Sequence, residues 1–214
     1  MKKTIISLFI LCMTTCFIYS QEVSTGGRQA LQFYIINGYA VSYKFPSKGI
    51  LNYRINLDFG AHYGDVLGEN TGYSYRTEQK SIGRNLSITL TPQVYVYFLS
   101  TNYAKMYAGG GAFINYLYNK NTTDGTYNFN TGSSSDIQKI SSYSFGLSAL
   151  IGVETELAKH ISLFAESQIN GGKRWSESKH FSHHSDGLQY WSNSTIKNWY
   201  AEYSDIRIGL GVYF

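Results

Sequence analysis

The last nine residues constrain the fold more than any other part of the chain. From position 206 to position 214, apolar and polar or small residues alternate without a break, and the final residue is aromatic. A period of two is typical of a β-strand that has one apolar face. The apolar face carries Ile206, Ile208, Leu210, Val212 and Phe214, and the other face carries Arg207, Gly209, Gly211 and Tyr213.

The same alternation recurs upstream at nearly regular spacing and predicts six further strands. Pro92 lacks a ladder N–H, so we expect a local bulge or kink there. Around Gly109–Gly111 we expect Met106, Ala108, Ala112, Ile114 and Tyr116 to face outward. The predicted strands are Tyr39–Phe45, Tyr53–Gly64, Leu86–Phe98, Met106–Tyr118, Tyr143–Glu154 and Ile161–Asn170. Aromatic residues near the strand ends predict interfacial girdles: Tyr43, Phe45, Tyr53, Tyr97, Phe98, Trp199, Tyr200, Tyr213 and Phe214.

Short and long connections alternate between these strands. Short turns are predicted at Pro46, Ser100 and Ala158, and each is followed by one strand that leads into a long polar segment. All short turns then fall on one side of the sheet and all long segments on the other. The sequence therefore predicts three long polar loops, at 65–83, 119–141 and 171–197.

If the strands close into a transmembrane barrel, an additional strand is needed before Tyr39, because such barrels in bacteria usually have an even number of strands. Ala30–Ile36 alternates weakly, and Asn37-Gly38 is a strong two-residue hairpin signal. We favour this hairpin. The alternative is one long strand over Leu31–Phe45, with the extra strand supplied by Gln21–Arg28.

The N-terminus predicts export. Two lysines, a short apolar run and small or polar residues up to Ser20 form a secretory signal peptide over residues 1–20. The rival interpretation is a lipoprotein signal cut before Cys16. Both cysteines, Cys12 and Cys16, lie inside the signal, so the mature protein would have no disulfide to stabilise it. The net charge of +4 includes Lys2 and Lys3, which leaves no basic surplus that would indicate nucleic-acid binding.

Signal peptide, alternating strands, short and long connections and a terminal Phe214 together resemble the small outer-membrane β-barrel superfamily, the OmpA/OmpX-like or "porin family" type. The resemblance covers about residues 21–214. It implies an all-β, transmembrane antiparallel up-and-down β-barrel of about eight strands in the outer membrane of a Gram-negative cell. It also implies contact with outer-membrane lipid and lipopolysaccharide, and recognition of Phe214 by the barrel assembly machinery. Members serve as anchors, adhesins, small pores and enzymes, so the function stays open.

Charged residues of both signs occupy the face that would line the barrel. An eight-stranded barrel is nearly filled by its own side chains, so we expect these charges to pair and plug the lumen rather than form an ion-selective constriction. Arg207, Glu154 and Glu166 should share one layer. The predicted lumen charges are Lys44, Arg54, Asp58, Glu154, Glu166, Asp205 and Arg207.

The third long segment contains residues that could serve chemistry. A loop metal site is one hypothesis, and His180 and His184 would share a face if the segment were helical. His180-Phe181-Ser182 resembles the His-x-Ser element of the lipid A deacylase barrel, but no matching Glu segment follows, and no catalytic residue is predicted. We therefore expect a non-enzymatic protein without a cofactor that acts through its extracellular loops; the alternatives are a small pore and a lipid A-modifying enzyme. The metal-capable residues are Glu177, His180, His183, His184 and Asp186.

Overall fold

The computed structural model describes residues 28–37, 39–47, 49–72, 75–127, 132–185 and 187–214. The predicted signal peptide and its cleavage site lie outside these residues. The described part is built from β-strands, as the sequence predicts, and contains no helix long and apolar enough to cross a membrane. The strands are β1 (Ala30–Ile36), β2 (Tyr39–Lys44), β3 (Leu51–Gly72), β4 (Tyr75–Ser100), β5 (Lys105–Tyr127), β6 (Gly132–Ala158), β7 (Ile161–His184), β8 (Gln189–Tyr203) and β9 (Arg207–Tyr213).

Antiparallel pairing of neighbours closes these strands into a barrel. Each strand from β1 to β7 pairs with the next, and β9 pairs with both β7 and β1. β8 pairs with the C-terminal half of β7, and β9 pairs with its N-terminal half. β8 and β9 therefore share one position in the ring, separated by residues 204–206. The expected up-and-down barrel with eight strand positions is confirmed, and the final strand begins at Arg207 rather than Ile206.

The first two strands form the favoured hairpin. Leu31 pairs with Tyr43, and Tyr34 pairs with Ala40. Asn37 adopts a positive φ of 59°, which asparagine tolerates better than most residues and which tight turns require. The alternative of one continuous strand through this region is wrong; Gly38 lies outside the described residues.

The three polar segments predicted as loops are instead the ends of long strands. β3 pairs with β4 as far as Gly72 and Tyr75, and β5 pairs with β6 as far as Tyr127 and Gly132. β7 likewise pairs with β8 up to His183, as far as the structure describes these strands. Since both faces of these extensions are largely polar, they lack the apolar alternation from which strands are recognised. Backbone pairing supports them far beyond the apolar part of the barrel, together with side-chain contacts such as that of Phe181 with Trp191.

The β1–β2 hairpin is much shorter than the other hairpins and leaves one side of the wall low. Its last pairs join Tyr39 to Phe59 of β3 and Ile36 to Ile208 of β9. Beyond them, within the described ranges, β3 pairs only with β4, and β8 only with β7. Two strand positions are therefore missing from the upper wall, an opening of about 14 Å between strand axes.

The two faces of the wall alternate as predicted. Apart from the exposed Ile36, the even residues of β1 and β2 point inward and are buried, such as Gln32, Tyr34 and Ser42, whereas their neighbours point outward. On β5, Ala112 and Ile114 lie outward as expected, while Tyr107 and Phe113 are buried in the lumen. The outward apolar residues include Leu31, Phe33, Ile55, Phe59, Leu86, Ile88, Leu90, Ile114, Phe145, Leu147, Ile151, Ile169 and Val212.

Three local predictions are wrong. Tyr97 and Tyr213 do not belong to an aromatic girdle, since their rings lie inside the barrel and their hydroxyls bond to Glu154. Pro92 does not form a bulge, because it pairs in register with Ile55 and the β4–β5 register is the same on both sides of it. The register of β4 shifts elsewhere, between Tyr97 and Leu99.

Gly209 lies where the backbone of the barrel wall packs closely against a side chain of the lumen. A Cβ there would collide with the Phe164 ring and with the carbonyl oxygen of Phe33. We expect Gly209→Ala to destabilise the barrel by about 1–3 kcal/mol, the usual cost of overpacking. A Cβ at Gly49 would meet no atom of a non-adjacent residue within 4 Å, so Gly49→Ala should have almost no effect. Urea unfolding of the two variants in lipid vesicles distinguishes them, and equal midpoints would contradict the packing described here.

Candidate functional site

Charged residues that are far apart in the sequence meet inside the barrel. Arg54 lies on β3, Glu166 on β7 and Arg207 on β9, and Glu166 is directly opposite Arg207 in the β7–β9 ladder. Asp58 follows Arg54 and Asn56 on the same face of β3. We call Arg54, Asp58, Glu166 and Arg207 the sealing network.

Glu166 is the centre of the sealing network. Its Oε2 accepts hydrogen bonds from Arg54 Nη2 at 2.5 Å and from the Tyr107 hydroxyl at 3.0 Å. Its Oε1 accepts from Arg207 Nη2 at 2.9 Å and from the Tyr34 hydroxyl at 2.8 Å. Glu166 and Arg54 are each 1% exposed. Because a buried carboxylate is costly unless it is paired and hydrogen-bonded, these four donors make its burial tolerable.

Arg207 extends the network toward the end of the barrel that carries the long strand extensions. Its Nη1 donates to Asp58 Oδ1 at 2.5 Å, and its Nη2 also donates to the amide oxygen of Gln168 at 2.8 Å. Asp58 accepts a further bond from the amide of Asn56 at 2.7 Å. Asp58 is less buried than Glu166, so the network runs from a dry centre to a wetter upper edge.

Glu154 does not join the sealing network, contrary to the expectation that it would share a layer with Glu166 and Arg207. It lies nearer the short turns, where Oε1 accepts from Ser162 at 2.8 Å and from Tyr213. Its Oε2 accepts from the Tyr97 hydroxyl at 2.6 Å, and Lys44 Nζ lies 2.8 Å from the same hydroxyl. A tyrosine thus stands between this carboxylate and its nearest cation.

Aromatic rings fill the space that the charges leave. Tyr95, Tyr97 and Tyr107 pack together with ring centroids 5.3–5.8 Å apart. The Arg54 guanidinium lies over the Tyr95 ring at 5.5 Å, and that of Arg207 lies over the Tyr34 ring at 4.6 Å. Aromatic rings and charged groups therefore pack together across the half of the lumen nearer the short turns.

Sequence reasoning misses part of this filling and misplaces one charge. Phe164 is 1% exposed and packs edge-on against Tyr34 at 5.0 Å. Its even position between Ser162 and Glu166 is the signal that could have placed it inside. The sequence predicts Asp205 in the lumen, but it lies exposed in the break between β8 and β9.

Above the sealed half, the tall walls enclose a polar cup. Its volume is about 460 Å³, and its lining carries hydroxyl, amide, carboxylate and imidazole groups. The lining residues come from five strands, β4 to β8. They are Ser81, Asn121, Thr123, Asp136, Gln138, Ser178, His180 and Ser192.

The residues of the hypothetical metal site do not converge. They lie on strand β7, not on a helix, so His180 and His184 face the cup side while Glu177 and His183 face outward. Among the described residues, no group of three or more metal-capable side chains could hold an ion. Asp186 lies outside the described residues.

The His180-Phe181-Ser182 element does not form a catalytic relay. His180 Nε2 lies 3.6 Å from Asp136 Oδ1, whereas the Ser182 hydroxyl lies 3.3 Å from a different imidazole, that of His184. A nucleophilic serine needs one histidine that contacts both the hydroxyl and the orienting acid. These contacts divide that task between two histidines.

At the other end, Phe214 completes the closing seam. Its backbone N–H donates to the carbonyl oxygen of Gln29 at 3.1 Å, and its side chain is exposed. The terminal residue thus lies beside the start of β1, at the periplasmic rim.

Three solved structures are similar to the chain at low identity. A major outer membrane protein from Thermus thermophilus is 14% identical, with 88% of this chain and 99% of that chain covered and a TM-score of 0.48. Acinetobacter baumannii CarO is 13% identical over 90% and 100% of the two chains, with a TM-score of 0.34. Acinetobacter baumannii CarO2 is 12% identical over 88% and 98%, with a TM-score of 0.33. No family model and no curated protein matches the sequence.

The sealing network predicts a large difference between two glutamates of the barrel. Glu166→Gln leaves two buried arginines without their shared counterion, so we expect a loss of about 3–5 kcal/mol of unfolding free energy. Glu156→Gln removes an exposed partner of Lys105 and should cost less than about 1 kcal/mol. Urea unfolding in zwitterionic vesicles measures the two free energies of unfolding. A Glu166→Gln barrel as stable as wild type would contradict the role of Glu166 as the shared counterion of Arg54 and Arg207.

Proposed function

We propose that the protein is an integral outer-membrane β-barrel, of the OmpA/OmpX-like type, that does not conduct and acts structurally or through contacts at the cell surface. The observation that carries the proposal is the position of the sealing network, below an open and polar extracellular part. Export by the predicted signal peptide and assembly through the C-terminal strand that ends in Phe214 are parts of the same proposal.

An apolar outer band supports placement in a membrane. On β6 the outward residues from Tyr143 to Val153 are all apolar or aromatic, and Leu147 is 72% exposed at their centre. Eleven residues of strand at a tilt near 40° span about 28 Å, close to the apolar band of outer-membrane barrels. An exposed apolar surface of this extent is unfavourable in water and favourable in lipid.

A sealed lumen favours a surface or structural role over a pore. The carboxylates and guanidiniums of the sealing network are held by each other and by buried tyrosines, so hydrated ions would have to displace paired charges. The extracellular strands, in contrast, present a polar cup and exposed aromatic residues on β8, including Tyr190 and Trp191. Contacts with other molecules are therefore to be expected at the rim of the tall walls.

Membrane placement predicts the effect of one outward substitution. Leu147→Arg should destabilise the barrel by about 2–4 kcal/mol, because a cation near the middle of the bilayer is costly. Ser135→Arg changes an outward residue of the same strand beyond the apolar band and should be close to neutral. Unfolding in lipid vesicles measures the difference. If Leu147→Arg were also neutral, this face would not contact lipid.

Conductance tests the sealed lumen. We expect purified protein in planar lipid bilayers to give no discrete current steps, whereas a general porin in the same bilayers gives them. Heat-modifiable gel migration first establishes that the sample is a folded barrel. Reproducible unitary steps from such a sample would overturn the non-conducting function and favour the small pore.

A further inference from the structure

Four cations form a row across the outer face of four neighbouring strands. Arg84 of β4 is directly opposite Lys120 of β5, Lys120 is opposite Lys139 of β6, and Lys139 is opposite Lys179 of β7. We call these four residues the cationic row. Neighbouring strands are about 4.8 Å apart, so the row extends over roughly 15 Å.

The strand alternation directs the cationic row outward. Ser81, Asn121, Gln138 and His180 line the cup on the inside of the same four strands. Each member of the row is an odd number of residues from the cup residue on its own strand, and successive side chains of a strand point to opposite faces. The four cations therefore lie on the outer wall.

Little within the protein neutralises the cationic row. Like charges directly opposite each other destabilise a pair of strands. Lys179 contacts Glu177 at 3.1 Å, and the Arg84 guanidinium lies over the Tyr63 ring at 5.5 Å. Among the side chains that the structure describes, no carboxylate pairs with Arg84, Lys120 or Lys139. An anion from outside the protein would remove this repulsion.

The outer wall changes character step by step below the cationic row. The next outward row toward the periplasm is mixed and consists of Leu86, Tyr118, Ser141 and Glu177. The one below it is aromatic and apolar and consists of Ile88, Tyr116, Tyr143 and Trp175. Tyr116 contacts Tyr143 at 4.9 Å, and Trp175 stacks on Phe145 of the following row at 5.0 Å. Such aromatic rows mark the boundary between lipid and water.

We propose that the cationic row binds the phosphate groups of an outer-leaflet lipid headgroup of the lipopolysaccharide class. Phosphates are matched by a guanidinium, which can bind two oxygens at once, and by ammonium groups that act as point charges. The acyl chains of the same lipid would lie against the aromatic and apolar rows directly below. This inference rests on the proposed placement in the outer membrane and adds a defined lipid site to it.

The test compares two triple variants of the full barrel in neutral detergent micelles. The row variant lacks three charges of the cationic row and carries Arg84→Gln, Lys120→Gln and Lys139→Gln. The opposite-rim variant lacks the same residue types at the other end of the barrel and carries Arg28→Gln, Lys105→Gln and Lys159→Gln. Arg28 bonds there to the carbonyl of Lys159. Heat-modifiable migration establishes that each variant is folded. The probes are bisphosphorylated lipid A, dephosphorylated lipid A and inorganic phosphate, and native mass spectrometry measures bound lipid.

We expect the row variant to bind bisphosphorylated lipid A at least tenfold more weakly than wild type, while the opposite-rim variant binds it normally. Dephosphorylated lipid A should bind all three proteins alike, and inorganic phosphate should bind none at the same concentrations. Equal affinity of the row variant and wild type, or an equal loss in both variants, would overturn the proposal.

The urea midpoint of unfolding, compared between the row variant and wild type without and with lipid A, gives a second readout. Without phosphorylated lipid, removing like charges should leave the urea midpoint of the row variant equal to or above that of wild type. With lipid A present, wild type should gain more stability than the row variant. If lipid A does not stabilise wild type more than the row variant, and both are folded, heat-modifiable barrels, the lipid site alone is refuted. Conductance steps, in contrast, refute only the sealed lumen.

Discussion

The paired burial of Glu166 is the constraint on which the rest of the barrel depends. Its two carboxylate oxygens connect Arg54 of β3 with Arg207 of β9, and so connect strands on either side of the short β1–β2 hairpin. Without this cross-lumen link, the low side of the ring would be held mainly by three short ladders, those of β9 with β1, of β1 with β2 and of β2 with β3. The same contacts that stabilise the closure lie across the lumen, so stability and the proposed sealing would have one physical origin.

Much of the architecture could be predicted because lipid imposes a simple pattern on a strand. Wherever one face must be apolar, as at Leu86–Phe98 or Tyr143–Glu154, the alternation identified the strand and its facing. The polar extensions had no such constraint, since strands such as Gln189–Tyr203 need only backbone partners. Their hydrogen bonds depend on the neighbouring strand and leave no periodic mark in the sequence.

Predictions about the lumen were partly correct for a related reason. Alternation places Arg54, Glu166 and Arg207 inside, but it cannot say which charges meet, because this depends on the register of neighbouring strands and, for Arg54, on a partner across the lumen. Glu154 illustrates the limit. It faces inward like Glu166, yet register places it among Lys44, Tyr97 and Tyr213 instead. The cationic row of Arg84, Lys120, Lys139 and Lys179 also depends on the register between strands, so no local sequence motif predicts it.

The short β1–β2 hairpin makes the molecule directional within the membrane plane. A barrel of uniform height presents the same profile to every neighbour, but this one is low at Asn37 and tall on the opposite side, where β5 and β6 extend to Tyr127 and Gly132. The cations lie on the tall side and the unpaired strand edges beside the low side. A neighbouring molecule that approaches from one direction therefore meets charge, and from the other it meets open backbone.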